Sequence, residues 1–198
     1  MATFFLVRHG AHALLGKVLV GCTVDICLDE HGRAQAEALG RHFAGERVSA
    51  VQSSPRQRAV QTARPIAERT GHAIDMEQAL DEIDCGDWSG RSFDELQADA
   101  TWQKWNSARS STRPPGGESM REVQQRIVAH LERAHARDRQ ARTVVVSHGD
   151  VIRAAVLHYL KRPIDAYHTF EIDPGSVTTL VLEQSGGKIV ALNEAAQP

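Results

Sequence analysis

The stretch Phe4-Phe5-Leu6-Val7-Arg8-His9-Gly10 sets the fold of this 198-residue chain. Its apolar run reads as a short buried strand, and the glycine and mixed residues after it read as a loop. A second run, Thr143-Val144-Val145-Val146, ends the same way, in Ser147-His148-Gly149. Two buried strands that each deliver a histidine and a glycine point to one site at their carboxyl ends, the edge where open α/β sheets bind ligands. The arginine beside the first histidine makes an anion the ligand to expect, because a guanidinium matches phosphate or carboxylate oxygens in pairs.

Working outward, Asp29 precedes a helix to Phe43 with Ala34, Ala38, Leu39 and Phe43 on one face. Val48 to Gln52 reads as a second strand. Ser54 is placed to cap the next helix and Pro55 to open it, with Gly71 as the stop after Thr70. Ala73 to Met76 is a weak third strand. Ser119-Met120-Arg121-Glu122 has capping-box spacing and opens a long helix that buries Met120, Val123, Ile127, Leu131 and Ala134. A helix follows His148. Val177 to Leu182 and Lys188 to Leu192 read as a closing hairpin, followed by a small, loose tail from Asn193 to Pro198. Strands alternating with helices predict a three-layer α/β/α sandwich over a single domain, residues 1–198. The segment 84–117 fits this scheme poorly. It holds Trp88, Trp102, Trp105 and the turn Pro114-Pro115-Gly116-Gly117, and reads as a small helical cap-like insertion over the sheet edge.

Composition narrows the function. Hydrophobic residues make up 41% and charged residues 24%, ordinary values for a soluble globular protein. The net charge of −2 supplies no basic face for nucleic acid. No apolar stretch has the length of a membrane span, and no basic region followed by an apolar core resembles a signal peptide. Cys22, Cys27 and Cys85 show no metal-like spacing and read as reduced cytoplasmic thiols. Oligomeric state stays open, a homodimer included.

Two more segments carry chemistry. In Ser53-Ser54-Pro55-Arg56-Gln57-Arg58, Arg58 falls in a helical first turn, where the backbone dipole favours anions. Leu80-Asp81-Glu82-Ile83-Asp84-Cys85-Gly86-Asp87-Trp88-Ser89-Gly90 gathers four acids, and a carboxyl held among apolar neighbours can donate a proton. Each alone has a plainer reading: a solvated arginine, a packed histidine, a solvated acidic loop. Three positions immediately after strands, on one sheet edge, favour a site.

In this order and spacing, Arg8-His9-Gly10, the Ser-Ser-Pro-x-x-Arg-Ala-x-Gln-Thr-Ala run, Leu-x-Glu-x-x-x-Gly-x-Trp-x-Gly, Pro115-Gly116-Gly117-Glu118-Ser119 and Ser147-His148-Gly149 resemble the histidine phosphatase (phosphoglycerate-mutase-like) superfamily. The resemblance covers most of the chain. It implies a six-stranded, mostly parallel sheet with one antiparallel strand, and neither metal nor cofactor. It implies that His9 attacks phosphorus to form a phosphohistidine. Arg8, Arg58 and His148 would surround the phosphoryl oxygens, with Gly21 and Gly149 as further substrate contacts. Glu82 would protonate the leaving alkoxide and then activate water; Asp81 and Asp84 compete for that role, but Glu82 matches the family's acid position.

The chain also departs from the pattern. Ala11-His12-Ala13-Leu14-Leu15 stands where many members have Glu-Thr-x-x-Asn, and Cys22 where a phosphatase subgroup has arginine. His12 reads as a loop histidine first, a pocket wall or substrate contact second. The short chain favours a phosphomonoesterase acting on a small phosphorylated metabolite over a mutase, which must shelter its intermediate from water. Arg91, Trp105, Arg109 and Arg113 are candidate substrate readers, each with an ordinary structural alternative. Two rivals remain: a metallohydrolase using His9, His12, His148 and Asp150, and a noncatalytic phosphoester-binding module.

Overall fold

The computed structural model describes residues 1–196 of the chain. Six strands form one sheet: β1 (Ala2–Arg8), β2 (Ala50–Ser53), β3 (Ile74–Met76), β4 (Arg142–Ser147), β5 (Ser176–Glu183) and β6 (Gly186–Ala195), in the order β3-β2-β4-β1-β5-β6. The pairs β1/β4, β2/β4 and β2/β3 are parallel, whereas β5 runs antiparallel to both β1 and β6. The sheet is therefore mostly parallel with one reversed strand, as the resemblance implies.

Period-two alternation along β1 builds both layers. Phe4 and Leu6 enter one core with α5 (Met120–Arg137) and α6 (Gly149–Tyr159), while Phe5 and Val7 enter the other with α1 (Glu30–Ala44) and α2 (Gln57–Thr70). Asp29 accepts from the Gly32 amide and caps α1. The buried face of α1 is Gly32, Ala36, Leu39, Gly40 and Phe43. That corrects the expected face, in which Ala34 was buried and Ala36 was not. Gly40 is part of the face because α2 packs too close for a side chain: a Cβ there would lie 2.9 Å from the Pro65 carbonyl.

Three local expectations change. β2 starts at Ala50, and α2 starts at Gln57 with no side-chain cap on its N-terminus. Ser54 Oγ accepts from the Arg56 amide over 3.3 Å, but the same buried hydroxyl also meets His148 and Asp81, and Arg56 rather than Ser54 is the N-cap of α2. The expected loose tail is strand as far as Ala195; Gln197 and Pro198 lie outside the described residues.

The 84–117 segment carries α3 (Phe93–Gln97) and α4 (Ala100–Ser107). Its tryptophans Trp88, Trp102 and Trp105 are buried in the same core as Phe4 and Leu6. The segment thus completes one face of the sandwich. Among the described residues, no helix is long and apolar enough to cross a membrane.

Candidate active site

Register brings the two histidines together. Arg8 on β1 pairs with Ser147 on β4, and the His9 amide donates to the Ser147 carbonyl over 3.0 Å. The next residue on each parallel strand is a histidine, so both imidazoles leave the sheet at one level. Their ring centroids are 5.1 Å apart, edge to face.

The His9 ring is held in one tautomer. Its Nδ1 lies 2.8 Å from the Gly10 carbonyl oxygen. A carbonyl only accepts, so Nδ1 carries the proton and Nε2 keeps its lone pair. The Gly10 amide donates to Thr62 Oγ1 over 3.0 Å, and Thr62 donates to the Arg58 carbonyl over 2.7 Å, which ties this loop to α2. Burial, with Arg58 and Arg8 alongside, holds the His9 imidazole well below its ordinary value, so it is neutral at pH 7.

Arg58 is 1% exposed and links the parts. Its Nε donates to His9 Nε2 over 3.3 Å. Its Nη2 donates to the Gly21 carbonyl over 2.9 Å and to His148 Nδ1 over 3.2 Å. A guanidinium only donates, so His148 Nδ1 accepts and His148 Nε2 donates to Ser54 Oγ, 2.7 Å away. Gly21 has φ +57°, a left-handed conformation, and a Cβ there would meet Ser89 Oγ at 3.1 Å. Glycine therefore permits the bend that aims this carbonyl at Arg58.

Glu82 faces the same point. Its Oε2 is 3.5 Å from His148 Nδ1 and 3.9 Å from Arg58 Nη2, while Oε1 accepts from the Ile83 amide. Burial and the nearby charge of Asp150 push its carboxyl up to about 7, against the pull of Arg58. A carboxyl titrating near neutrality can give and retake a proton.

These groups open onto a cleft of about 360 Å³ lined by Arg8, His9, His12, Gly21, Arg58, Glu82, Gly149 and Asp150, together with apolar side chains. Arg8 donates through Nη1 to the Ile172 carbonyl over 2.6 Å. Its Nε and Arg58 Nη1 are buried without a partner among the described residues. An unpaired buried N–H of a charged group costs roughly 1–3 kcal/mol or more, so both nitrogens favour an anion. His148 lies behind the cleft wall, fully buried, and reaches the cleft through Arg58 and Glu82.

Several sequence readings are revised. His12 does sit in the loop after β1 but is not solvated: it is 6% exposed, lines the cleft, and its ring centroid is 5.5 Å from that of His9. Burial, followed by Arg58 and Arg8, lowers it to about 4, so it is a neutral wall. None of the four candidate substrate readers lines the cleft. Arg91 pairs with Asp99, Arg113 with Glu122, and Trp105 is core. Arg109 stacks 3.5 Å from the Tyr167 ring centroid and reaches Asp150. Sequence reasoning missed the brace formed by Arg56, which pairs with Asp81 at 2.8 Å and donates to the Cys22 carbonyl. It also missed Ser54 and Thr62 as partners of the site. The Ser-Ser-Pro-x-x-Arg-Ala-x-Gln-Thr run contains all three, but only the fold shows where they point.

Comparison with known proteins shows the family of the chain. The family model described as histidine phosphatase superfamily (branch 1) matches residues 4–195. Phosphoserine phosphatase 1 of Hydrogenobacter thermophilus is 29% identical, over 98% of this chain and 92% of its own. The 2,3-bisphosphoglycerate-dependent phosphoglycerate mutase of Thermoplasma acidophilum is 27% identical, over 97% of this chain and 92% of its own. A crystal structure of a phosphoserine phosphatase mutant from Entamoeba histolytica in complex with phosphoserine superposes with a TM-score of 0.89 at 27% identity, covering 98% of each chain.

Proposed function

We propose that this chain, which belongs to the histidine phosphatase superfamily, hydrolyses small phosphomonoesters through a phosphohistidine on His9. The observation that carries this reading is the pair of unpartnered guanidinium nitrogens, Arg8 Nε and Arg58 Nη1, on residues lining one cleft with the lone-pair nitrogen of His9.

The chemistry balances within these residues. His9 Nε2 attacks phosphorus in line as the bond to the ester oxygen breaks, and Glu82 gives its proton to that oxygen. The Glu82 carboxylate then takes a proton from water, whose oxygen attacks phosphorus and displaces His9. Inorganic phosphate leaves, and both groups return to their starting states. Phosphoryl transfer needs positioning and charge more than covalent help, which Arg8 and Arg58 supply directly. His148 supports the phosphoryl group from behind, through Arg58 and Glu82. Gly21 and Gly149 set the backbone against Arg58 and Arg8 respectively.

The metallohydrolase reading fits less well. Arg58 bonds both His9 and His148 and would sit beside any ion they held. Among the described residues, no group of three or more His, Cys, Asp or Glu side chains is placed to hold a metal ion. A mutase must hold a diphosphorylated acid, yet among the described residues Arg8 and Arg58 are the only Lys or Arg lining the cleft. A purely binding role leaves the poised Glu82 without purpose. The same reading assigns a small-molecule ester as partner, rather than nucleic acid or a membrane, and a cytoplasmic setting suited to three free thiols.

Rapid-quench labelling with a phosphorus-labelled ester tests the reading. The expected result is an acid-labile, base-stable protein phosphate that forms in the presence of EDTA and is lost in His9→Ala. Full turnover without any such intermediate would overturn it.

A further inference from the structure

We infer that the leaving group this phosphatase accepts is apolar and uncharged, an alkyl or aryl alcohol without a carboxylate, phosphate or amine of its own. The inference rests on the phosphatase reading above and specifies the substrate class of the same cleft.

The lining of the cleft is of two chemical kinds. Arg8, Arg58 and His9 supply the proposed phosphoryl site. Leu15, Val18, Leu19, Val20, Ile83 and Phe93 supply an apolar wall. This wall is built rather than incidental. The Leu19 amide donates to the Arg91 carbonyl over 2.9 Å, the Gly90 amide to the Leu19 carbonyl over 2.8 Å, and the Phe93 amide to the Lys17 carbonyl over 3.0 Å. These bonds join the loop after β1 to the strip before α3, so apolar side chains from both form one surface. Val20 and Ile83 are buried in it, and Phe93 packs at its back against the Trp102 ring, 5.9 Å between centroids.

Among the described residues, no Lys or Arg lines the cleft besides Arg8 and Arg58. Nearby arginines are engaged elsewhere: Arg56 with Asp81, Arg91 with Asp99, Arg109 with Asp150. His12 is neutral, and its buried Nδ1, unpartnered among the described residues, carries no charge. Among the described residues, the one further ionisable group on the cleft wall, apart from Glu82 and Cys85, is Asp150, which repels an anion. Nor is Asp150 free for an ammonium group, since it already accepts from Tyr167 Oη and Arg109. A carboxylate or amine placed against this wall would lose water without gaining a partner. A methylene placed there would gain burial.

Primary alkyl phosphates test this at nearly constant leaving-group basicity. We would measure kcat/KM for ethyl, butyl and hexyl phosphate, and for ω-carboxy and ω-amino derivatives of the same lengths, with 4-nitrophenyl phosphate as the activity control. The expected result is a rise of roughly threefold per added methylene until the cleft is filled, and at least about a tenfold loss on adding either charged end. Leu15→Arg, in a half-buried turn, should shift the ratio toward the ω-carboxy esters. Turnover of 4-nitrophenyl phosphate with equal or better use of a charged series would overturn this inference and leave the phosphatase reading standing. No hydrolysis of any ester would overturn both.

Discussion

Arg58 donates through Nε to Nε2 of His9 across 3.3 Å. The lone pair proposed to attack phosphorus is thus held by the guanidinium proposed to bind the phosphoryl group. A bound phosphoryl oxygen can take over the guanidinium N–H, which frees the lone pair at the moment phosphorus arrives. The contact also keeps the ring unprotonated, because a cation beside an imidazole disfavours a second charge.

Arg58→Gln should therefore raise the His9 pKa toward its ordinary value of 6.5. An NMR titration of the ring would read this shift directly. The same variant should weaken binding of inorganic phosphate by about tenfold to a hundredfold, the scale of a hydrogen bond to a charged group. An unchanged His9 titration would remove Arg58 from this electrostatic role.

His9→Ala should lower turnover by about a thousandfold or more, since it removes the imidazole nitrogen that Arg58 holds at the proposed phosphoryl site. Inorganic phosphate should still bind, because Arg8 and Arg58 remain. Calorimetry on the variant separates the two effects.

Glu82→Gln should slow alkyl phosphates by about 10²–10⁴-fold and aryl phosphates by less than about tenfold, because only a poor leaving group needs the proton. In the wild type, kcat/KM for alkyl phosphates should fall as the pH rises above about 7, where Glu82 loses that proton. Acid should do little harm through His9, whose protonation lies well below 6.5. The alkaline fall should be absent from Glu82→Gln.

Glu82 also predicts a stability profile. Its carboxyl is raised in the folded state from 4.5 to about 7, so its contribution is fully present below pH 4.5 and is lost as the pH climbs through 7. Glu82→Gln lacks that loss. Denaturant unfolding should show the variant gaining on the wild type between pH 4 and pH 8, by an amount on the order of 3 kcal/mol. Parallel profiles for the two proteins would mean that the folded carboxyl is not raised.

Much of the site was legible before folding because strand ends are local features. Apolar runs ending in Arg8-His9-Gly10 and Ser147-His148-Gly149 announce loops at a sheet edge, and the acidic loop offers a candidate proton donor. Ser54 misled for a physical reason. A serine before proline is a good helix cap by local rules, but here its hydroxyl meets the buried His148, and α2 begins later without a side-chain cap. The insertion misled similarly. Its arginines and Trp105 were eligible for a lid on composition, yet burial of three tryptophans put most of the segment into the core.

By itself the sequence determined which residues could do the chemistry, and that parallel strands would carry them to one edge; both follow from local pattern and short-range sterics. Tertiary structure alone decided how they meet. The β1/β4 register sets His9 level with His148, and the tautomers follow from which neighbours can only donate or only accept. The apolar wall exists only because two loops distant in the chain hydrogen-bond edge to edge. Such pairings depend on long-range contacts among residues whose order in the chain says nothing of their distance.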